Sequence, residues 1–310
     1  MNRTQLTAFA AVAQAGGFTK GARKLRVSQP AVSLQVSELE AALKAKLFDR
    51  LPRGVRLTPA GELLLGYARR IDSLEREAES AVAEMLGLRR GKLVIGASLT
   101  IGSYFLPTAL GQFRHLYPEI ELELEIANTQ QIEQALLENR LDLAFTEGLS
   151  PKQGLSSQKI RDDRLVPICP PGHPILKLPR ITAAIFCQQP LILRELGSGT
   201  REVIEDALRK GKHSVKPLMS LGSTEAIKRA VQTGIGLSIV SELAIQSELA
   251  AKTLVVVSLK DLAITRTFQL LRPANKSDSP AATAFVDVVR QAATEMGSET
   301  RRSGGKRYRP

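Results

Sequence analysis

The chain has 310 residues, 43% of them hydrophobic, which is enough for two or three packed cores; 43 Lys and Arg against 31 Asp and Glu give it a net charge of +12. The N-terminus carries no apolar run long enough for a secretory leader or a membrane span, so the protein is expected in the cytoplasm, where Cys169 and Cys187 read as small apolar packing residues. The charge is uneven: residues 1–92 carry 16 Lys or Arg against 9 Asp or Glu, residues 93–296 carry 22 against 21, and residues 297–310 carry 5 against 1. A basic head suits contact with a polyanion, and the near-neutral middle has some other task.

In chain order, the pattern predicts a short helix over 19–25, a tight turn, and a second helix opened by Ser28-Gln29-Pro30. Ser28 can cap the free backbone N–H groups, and Pro30 falls in the first turn, where a helix tolerates it. Ala31, Val32, Leu39, Ala42 and Leu43 recur at helical spacing as the expected buried stripe, which leaves Gln29, Ser33, Gln35 and Ser37 mostly on other faces. Such polar side chains suit base edges and phosphates: Gln makes bidentate contact with adenine, and Ser serves either. Arg50, Arg53 and Arg56 follow in a turn too short to bury them, with Gly54 reversing the backbone, and are expected to project as a basic wing. Each helix alone would favour a small helical hairpin with a solvated loop; the order of the pieces favours a helix-turn-helix that reads DNA.

Residues 10–58 resemble the N-terminal domain of LysR-type transcriptional regulators. The matching tracts are Phe9-Ala10-Ala11-Val12-Ala13, Gly17-Phe18-Thr19, Ala22-Arg23-Lys24-Leu25, Val27-Ser28-Gln29-Pro30-Ala31-Val32-Ser33, Leu47-Phe48-Asp49-Arg50 and Arg53-Gly54-Val55-Arg56-Leu57-Thr58-Pro59-Ala60-Gly61. The resemblance implies an all-α winged helix-turn-helix over residues 1–58, in which Ser28, Gln29, Pro30, Ser33 and Gln35 face the major groove and Arg53 serves the wing. Two positions depart from the family: Gly21 stands where Ala is usual and is expected to loosen the first helix, and Lys44 stands where a helix-ending Gly is common.

Thr58 as N-cap and Pro59 at the first helical position open a helix that runs to about residue 86, about 40 Å at ~1.5 Å per residue. Leu64, Ile71, Ala78 and Met85 recur every seventh residue, with Tyr67, Leu74, Ala81 and Leu88 as the interleaved set. Pattern alone leaves two readings, an amphipathic helix lying on its own domain or a pairing helix. The family uses this segment, here 59–88, as a linker that joins two chains, so the resemblance implies a homodimer or homotetramer.

From residue 91 the pattern changes to strands at 92–97, 119–126 and 141–146 alternating with helices at 103–117 and 129–139, a parallel, doubly wound unit. A second such unit spans about 165–259, and 267–271 reads as a strand returning to the first. The resemblance implies a two-lobe α/β effector domain over 91–296, similar to periplasmic solute-binding proteins: lobe I is 91–162 with 267–296, and lobe II is 163–266. The crossovers near Asp162-Asp163 and Thr265-Arg266 are the expected hinges. Residues 297–310, with Arg301, Arg302, Lys306, Arg307 and Arg309 among Gly and Ser, read as a basic disordered tail.

Ligands of open parallel sheets bind where strands end and helices begin. Ser98 and Thr100 follow the first strand, Asn128 and Thr129 the second, and Thr146 closes the third. In the second unit an apolar strand leads through Arg194-Glu195 to Gly197-Ser198-Gly199-Thr200-Arg201 and a helix, whose free N–H groups suit an anion. Arg194 or Arg201 can clamp a carboxylate or phosphate, or can end as a solvated helix-end residue. Ser223 and Thr224 open another helix, and every one of these hydroxyls is also a plausible cap. The tract 194–201 resembles a branch of the family that includes regulators of carbon fixation and of sulfur assimilation, which favours a small anionic effector bearing carboxylate or phosphate; the 4% aromatic content offers few rings for a flat one.

Enzyme chemistry finds little support. His115, His173 and His213 are far apart, Gly234-Ile235-Gly236 lacks the third glycine of a dinucleotide fingerprint, and no phosphate-loop lysine follows a glycine-rich turn. Neither a metal nor a cofactor is expected. Redox-sensing members of the family use a cysteine pair in the same lobe, but the 169 and 187 spacing does not resemble theirs. The reading is a DNA-binding transcriptional regulator whose partners are double-stranded DNA, a small anionic effector, a second copy of itself and RNA polymerase, with no membrane involved; the rivals are an exported solute-binding protein and a small-anion transferase with a DNA-binding head.

Overall fold

A computed structural model describes residues 1–51, 54–85, 91–275 and 277–303. The chain forms two compact units, one of Met1–Glu79 with Glu138–Arg140 and one of Ser80–Leu137 with Leu141–Pro310.

In the first unit, α1 (Arg3–Ala15), α2 (Phe18–Leu25) and α3 (Gln29–Leu43) precede the ribbon of β1 (Phe48–Arg50) and β2 (Val55–Leu57), and α4 (Pro59–Met85) follows. Phe9, Val12, Ala22, Val32, Val36, Leu39, Leu47, Phe48 and Leu65 form the core, with Phe48 ringed by Phe9 and Phe18 at 5.3 and 5.7 Å. Gly21 is a close-approach residue: a Cβ there would stand 3.0 Å from the Val12 backbone, so its small size sets the packing of α2 on α1. Lys44 ends α3 in the left-handed region (φ 51°), doing at some strain what Gly does freely. Thr58 accepts from the Gly61 N–H at 3.1 Å and donates to the Lys46 carbonyl at 2.6 Å, fastening the start of α4 to the ribbon.

The second unit opens with β3 (Gly91–Ser98), α5 (Leu99–Tyr104), α6 (Leu106–Leu116), β4 (Ile120–Ala127), α7 (Thr129–Leu137), β5 (Leu143–Glu147) and the long β6 (Leu155–Cys169). Where the sequence suggested one helix over 103–117 there are two, broken at Phe105 ahead of Pro107, so that α5 begins directly at the end of β3. Then come α8 (Ala183–Cys187), β7 (Ile192–Arg194), α9 (Gly199–Lys210), β8 (Met219–Leu221), α10 (Thr224–Gln232), β9 (Ser238–Ser241), α11 (Gln246–Ala250), β10 (Val255–Val256), β11 (Ile264–Pro273) and α12 (Pro280–Ser303). The last helix continues past Gly297, where the sequence suggested a disordered tail begins; residues 304–310 lie outside the described residues.

β3 pairs in parallel with β4 and β5, the doubly wound pattern. The second half is mixed: β7 and β8 pair in parallel, while β9 and β10 pair antiparallel with β6. β6 and β11 run side by side, antiparallel, from one half to the other, with Arg266 opposite Asp163. In β3, β5, β7 and β9 successive residues face opposite cores, which is why these strands read as unbroken apolar runs, whereas β4 alternates apolar residues with outward glutamates. In one lobe Ile95, Phe145, Phe268 and Phe285 pack on one face and Ile132, Leu136 and Leu271 on the other; in the second, Leu165, Leu193 and Ile204 oppose Val166, Ile192 and Ile227.

Candidate duplex-facing surface and effector cleft

The N-terminal end of α3 is cut by Ser28, whose hydroxyl accepts from the Ala31 N–H at 3.3 Å, with Pro30 in the first turn. Val32, Val36 and Leu39 seat the helix on the core, a narrower stripe than the sequence suggested; Ala31, Ala42 and Leu43 are exposed instead, because three contacts at helical spacing suffice to hold one face. Ser28, Gln29 and Pro30 are exposed, and Ser33 and Gln35 are half-buried on the same helix. In the ribbon, Arg50 is opposite Val55 and Arg56 opposite Asp49, and the Arg56 guanidinium meets the Asp49 carboxylate at 3.2 Å. Arg53 lies outside the described residues. Glu40 holds this ribbon against α3: it accepts from the Leu47 and Phe48 N–H groups at 2.8 and 3.4 Å and from Lys46 Nζ at 2.7 Å. Burial raises the Glu40 carboxyl, but the Lys46 ammonium and the two N–H groups outweigh it and leave it below the usual carboxylate range.

On α4, Leu64 packs on its own unit, whereas Leu63, Tyr67, Leu74 and Val82 are more than half exposed. The open apolar row is therefore not the Leu64 row that the heptad count placed first. Ala78 is exposed beside that row, the Met85 and Ala81 side chains are not described, and Leu88 lies outside the described residues.

Between the lobes, polar side chains meet far from water. Ser98, at the end of β3, donates to Glu147 at the end of β5, and Thr200, in the first turn of α9, donates to the other oxygen of the same carboxylate at 3.0 Å. Thr129 opens α7, donates to the Glu147 carbonyl at 3.0 Å and accepts from the Gly199 N–H at 3.1 Å. Gly199 is obligatory there, because a Cβ would stand 1.6 Å from the Glu147 carbonyl oxygen. Arg266 comes up from β11 to reach Thr200 Oγ1 at 2.6 Å, Glu147 at 3.0 Å and Asp163 at 2.7 Å, and Asp163 in turn accepts from Ser241 at 2.8 Å. Glu147, Asp163, Arg266, Ser98, Thr100 and Thr200 are all buried. A second bridge joins the lobes where Tyr104 of α5 donates to Glu225 of α10, and Lys228 ties Glu225 to Glu248 at 2.7 and 2.9 Å. Burial and then Glu225 push the Tyr104 hydroxyl far above its ordinary pKa, which keeps it a donor.

Of the residues singled out from sequence, Ser98, Thr129, Gly199 and Thr200 thus come together directly, and Thr100 and Thr146 are buried in the elements alongside. Ser198, Asn128 and Ser223 serve as caps, accepting from the N–H groups of Arg201, Gln131 and Ala226. Arg194 forms a bidentate pair with its neighbour Glu195, both bonds 2.8 Å, while Arg201 bonds Glu205, Ser220 and the Arg194 carbonyl. A cavity of about 320 Å³ opens at the Thr129 rim, lined also by Gln130, Glu133, Ser198, Arg201 and Glu202. Burial raises the carboxyl of Glu133 there.

Glu147, Asp163 and Arg266 were not picked out as cleft residues, though the pattern held a signal for them. Arg266 shares the inward parity of Ile264, Phe268 and Leu270, and Asp163 that of Leu165; a charge in an inward register of a strand asks for a partner. Burial lifts the Cys169 thiol to about 11 and raises that of Cys187, as suits packing residues. Among the described residues there is no group of three metal-binding side chains and no helix long and apolar enough to cross a membrane.

A helix-turn-helix unit with a β-ribbon wing followed by a two-lobe α/β domain is the architecture of a DNA-binding regulator with an effector-binding domain. Residues 4–62 match the bacterial regulatory helix-turn-helix protein, lysR family, and residues 86–294 match the LysR substrate binding domain. The chain belongs to the LysR family of transcriptional regulators. It is 36% identical over 291 residues, 92% of this chain and 84% of the other, to the probable RuBisCO transcriptional regulator of Synechocystis sp.. It is similar to the regulatory domain of CcmR from Synechocystis, solved in complex with 2-PG, at 30% identity and a TM-score of 0.61 over 66% of this chain and 98% of that one. Full-length CbnR, solved with its target DNA, shares the fold at 23% identity and a TM-score of 0.67, covering 94% of this chain and all (100%) of that one.

Proposed function

We propose that the protein is a cytoplasmic, homo-oligomeric regulator that reads an operator through the N-terminal end of α3 and answers a small anionic metabolite held between its lobes. Ser28, Gln29, Pro30, Ser33 and Gln35 read the major groove, and Arg50, Arg53 and Arg56 grip phosphates on either side. Two copies pair through the exposed Leu63, Tyr67, Leu74 and Val82 row of α4, which sets the spacing of the half-sites and presents the assembly to RNA polymerase. The effector carries a carboxylate or phosphate. It binds among Ser98, Thr100, Thr129, Thr146, Ser198, Gly199 and Thr200, with Arg194 and Ser223 at the margins.

The observation that carries this reading is the convergence of hydroxyls from β3, α7 and α9 with the N-terminus of α9, where the lobes meet. The likeness to a regulatory domain solved with 2-PG supports a small metabolite as the effector. Thr100→Ala and Thr200→Ala should abolish the effector response and spare operator binding. A normal response of both variants in a footprint on the protein's own upstream region, with a metabolite panel added, would refute the cleft assignment.

A further inference from the structure

The buried centre of the cleft already holds an anion, and it belongs to the chain. The Glu147 carboxylate takes the Ser98 hydroxyl on one oxygen and the Thr200 hydroxyl and Arg266 guanidinium on the other. That donor set, two hydroxyls, one of them in the first turn of a helix, and a guanidinium, is what a small oxyanion would require. Arg266 is wholly buried as a side chain, and its Nη2 has no hydrogen-bond partner among the described residues. An orphaned guanidinium nitrogen at nearly zero exposure is costly, and it sits on the group that binds Glu147.

We propose that Arg266 is the cation that receives the effector's anionic group, and that Glu147 is the chain's own placeholder for that group, displaced when a carboxylate or phosphate enters. The inference rests on the cleft reading above and deepens it. Its physical ground is a count of charges. Arg266 faces two carboxylates, Glu147 at 3.0 Å and Asp163 at 2.7 Å, so a third anion cannot be added without repulsion at the same guanidinium. Exchange avoids that repulsion: the incoming oxyanion takes over the Ser98, Thr200 and Arg266 donors and also satisfies Nη2, while Asp163, held by Ser241, keeps the guanidinium in place. The exchange is also a signal. Glu147 ends a strand of one lobe and Thr200 begins a helix of the other, so the bond that is broken links the lobes, and the effector's own size and shape decide how they close again. A neutral or cationic metabolite lacks the group that can take Glu147's place, which restricts the site to anions.

The test is calorimetric titration of the full-length protein with inorganic phosphate and with 2-PG as probes. Glu147→Gln keeps the size of the placeholder and removes its charge; it should bind at least one of the two probes about ten-fold or more tightly than the wild type. Adding Arg266→Gln to that variant should return binding to the wild-type level or below. If Glu147→Gln does not fold, Glu147→Asp draws the carboxylate back by one methylene and should give a smaller gain of the same sign. Equal or weaker anion binding by these variants, with wild-type binding still abolished by Thr200→Ala, would overturn the placeholder and leave the cleft reading intact. Failure of every variant and of the wild type to bind either anion, while an uncharged metabolite binds, would overturn both.

Discussion

The N-terminal end of α3, proposed to face the duplex, and the centre of the cleft are both built from short polar side chains at helix starts, yet they are in opposite states. On α3 the side chains of Gln29 and Pro30 are exposed and Ser28 only caps its own helix, so the surface can meet DNA without breaking anything. In the cleft, Ser98, Thr129 and Thr200 are buried and bonded across to the other lobe or to Glu147, so a ligand that reaches the proposed centre must replace bonds. A reading surface gains from being unoccupied, whereas a sensor gains from a closed resting state whose bonds the ligand must match. The first is sensitive to single side chains one at a time; the second behaves as a network.

The largest effect that separates the two regions is expected from Arg266→Met. It strands Glu147 and Asp163 as buried carboxylates without a cation and should cost about 3–5 kcal/mol. Thermal or urea unfolding of the intact protein measures it, and adding Glu147→Gln and Asp163→Asn should recover much of the loss. If Arg266→Met alone were neutral, the cleft centre would be no network at all. Next comes Gly199→Ala, whose methyl would fall 1.6 Å from the Glu147 carbonyl and so drive α9 away from β5. The expected cost is about 1–3 kcal/mol, together with a lost effector response and unchanged operator affinity. A change in operator affinity without effector would show that the two regions are not separable in this way.

On the reading surface, Gln29→Ala should cost about 1–3 kcal/mol at the base pair it contacts and nothing on random DNA. Arg56→Ala should instead weaken binding to every sequence and lower the salt slope by about one. Competition binding on operator and scrambled duplexes at two salt concentrations distinguishes them, and equal losses on both duplexes for Gln29→Ala would remove it from base recognition.

The same contrast explains what was legible in the sequence. Caps and turns are local, so Ser28, Pro30, Thr58 and Pro59 announced the helix starts, and the apolar runs at Leu93 and Leu143 announced buried strands. The open apolar row of α4 was harder: heptad counting cannot tell Leu63 from Leu64 until the core claims one of them, and Leu64 is the one that packs inward. The cleft hydroxyls were visible because they follow strand ends. Their partners were not, since Glu147 and Thr200 are 53 positions apart and Asp163 and Arg266 are 103 apart, and only the antiparallel crossing of β6 and β11 brings the second pair side by side. The mixed pairing of the second lobe was hidden for the same reason: β9 looks like any buried strand until β6 is known to run beside it in the opposite direction.

The smallest effect tests whether the wing is held by the core or by its own turn. Glu40 lies below the ordinary carboxylate range because Lys46 and the Leu47 and Phe48 N–H groups bind its charged form. A group depressed on folding contributes stability above its unfolded value, about 4.3 for Glu, and that contribution is lost as pH falls through the folded value. Glu40→Gln should therefore loosen the ribbon by about 1 kcal/mol at neutral pH, and the difference from wild type should shrink below about pH 4. Hydrogen exchange at the Leu47 and Phe48 amides, compared between wild type and variant at pH 6.5 and 3.5, reads this locally. Equal protection in both proteins at the higher pH would mean that the β1–β2 turn, with the Arg56–Asp49 pair, shapes the wing without help from α3, and that operator affinity should then be indifferent to Glu40.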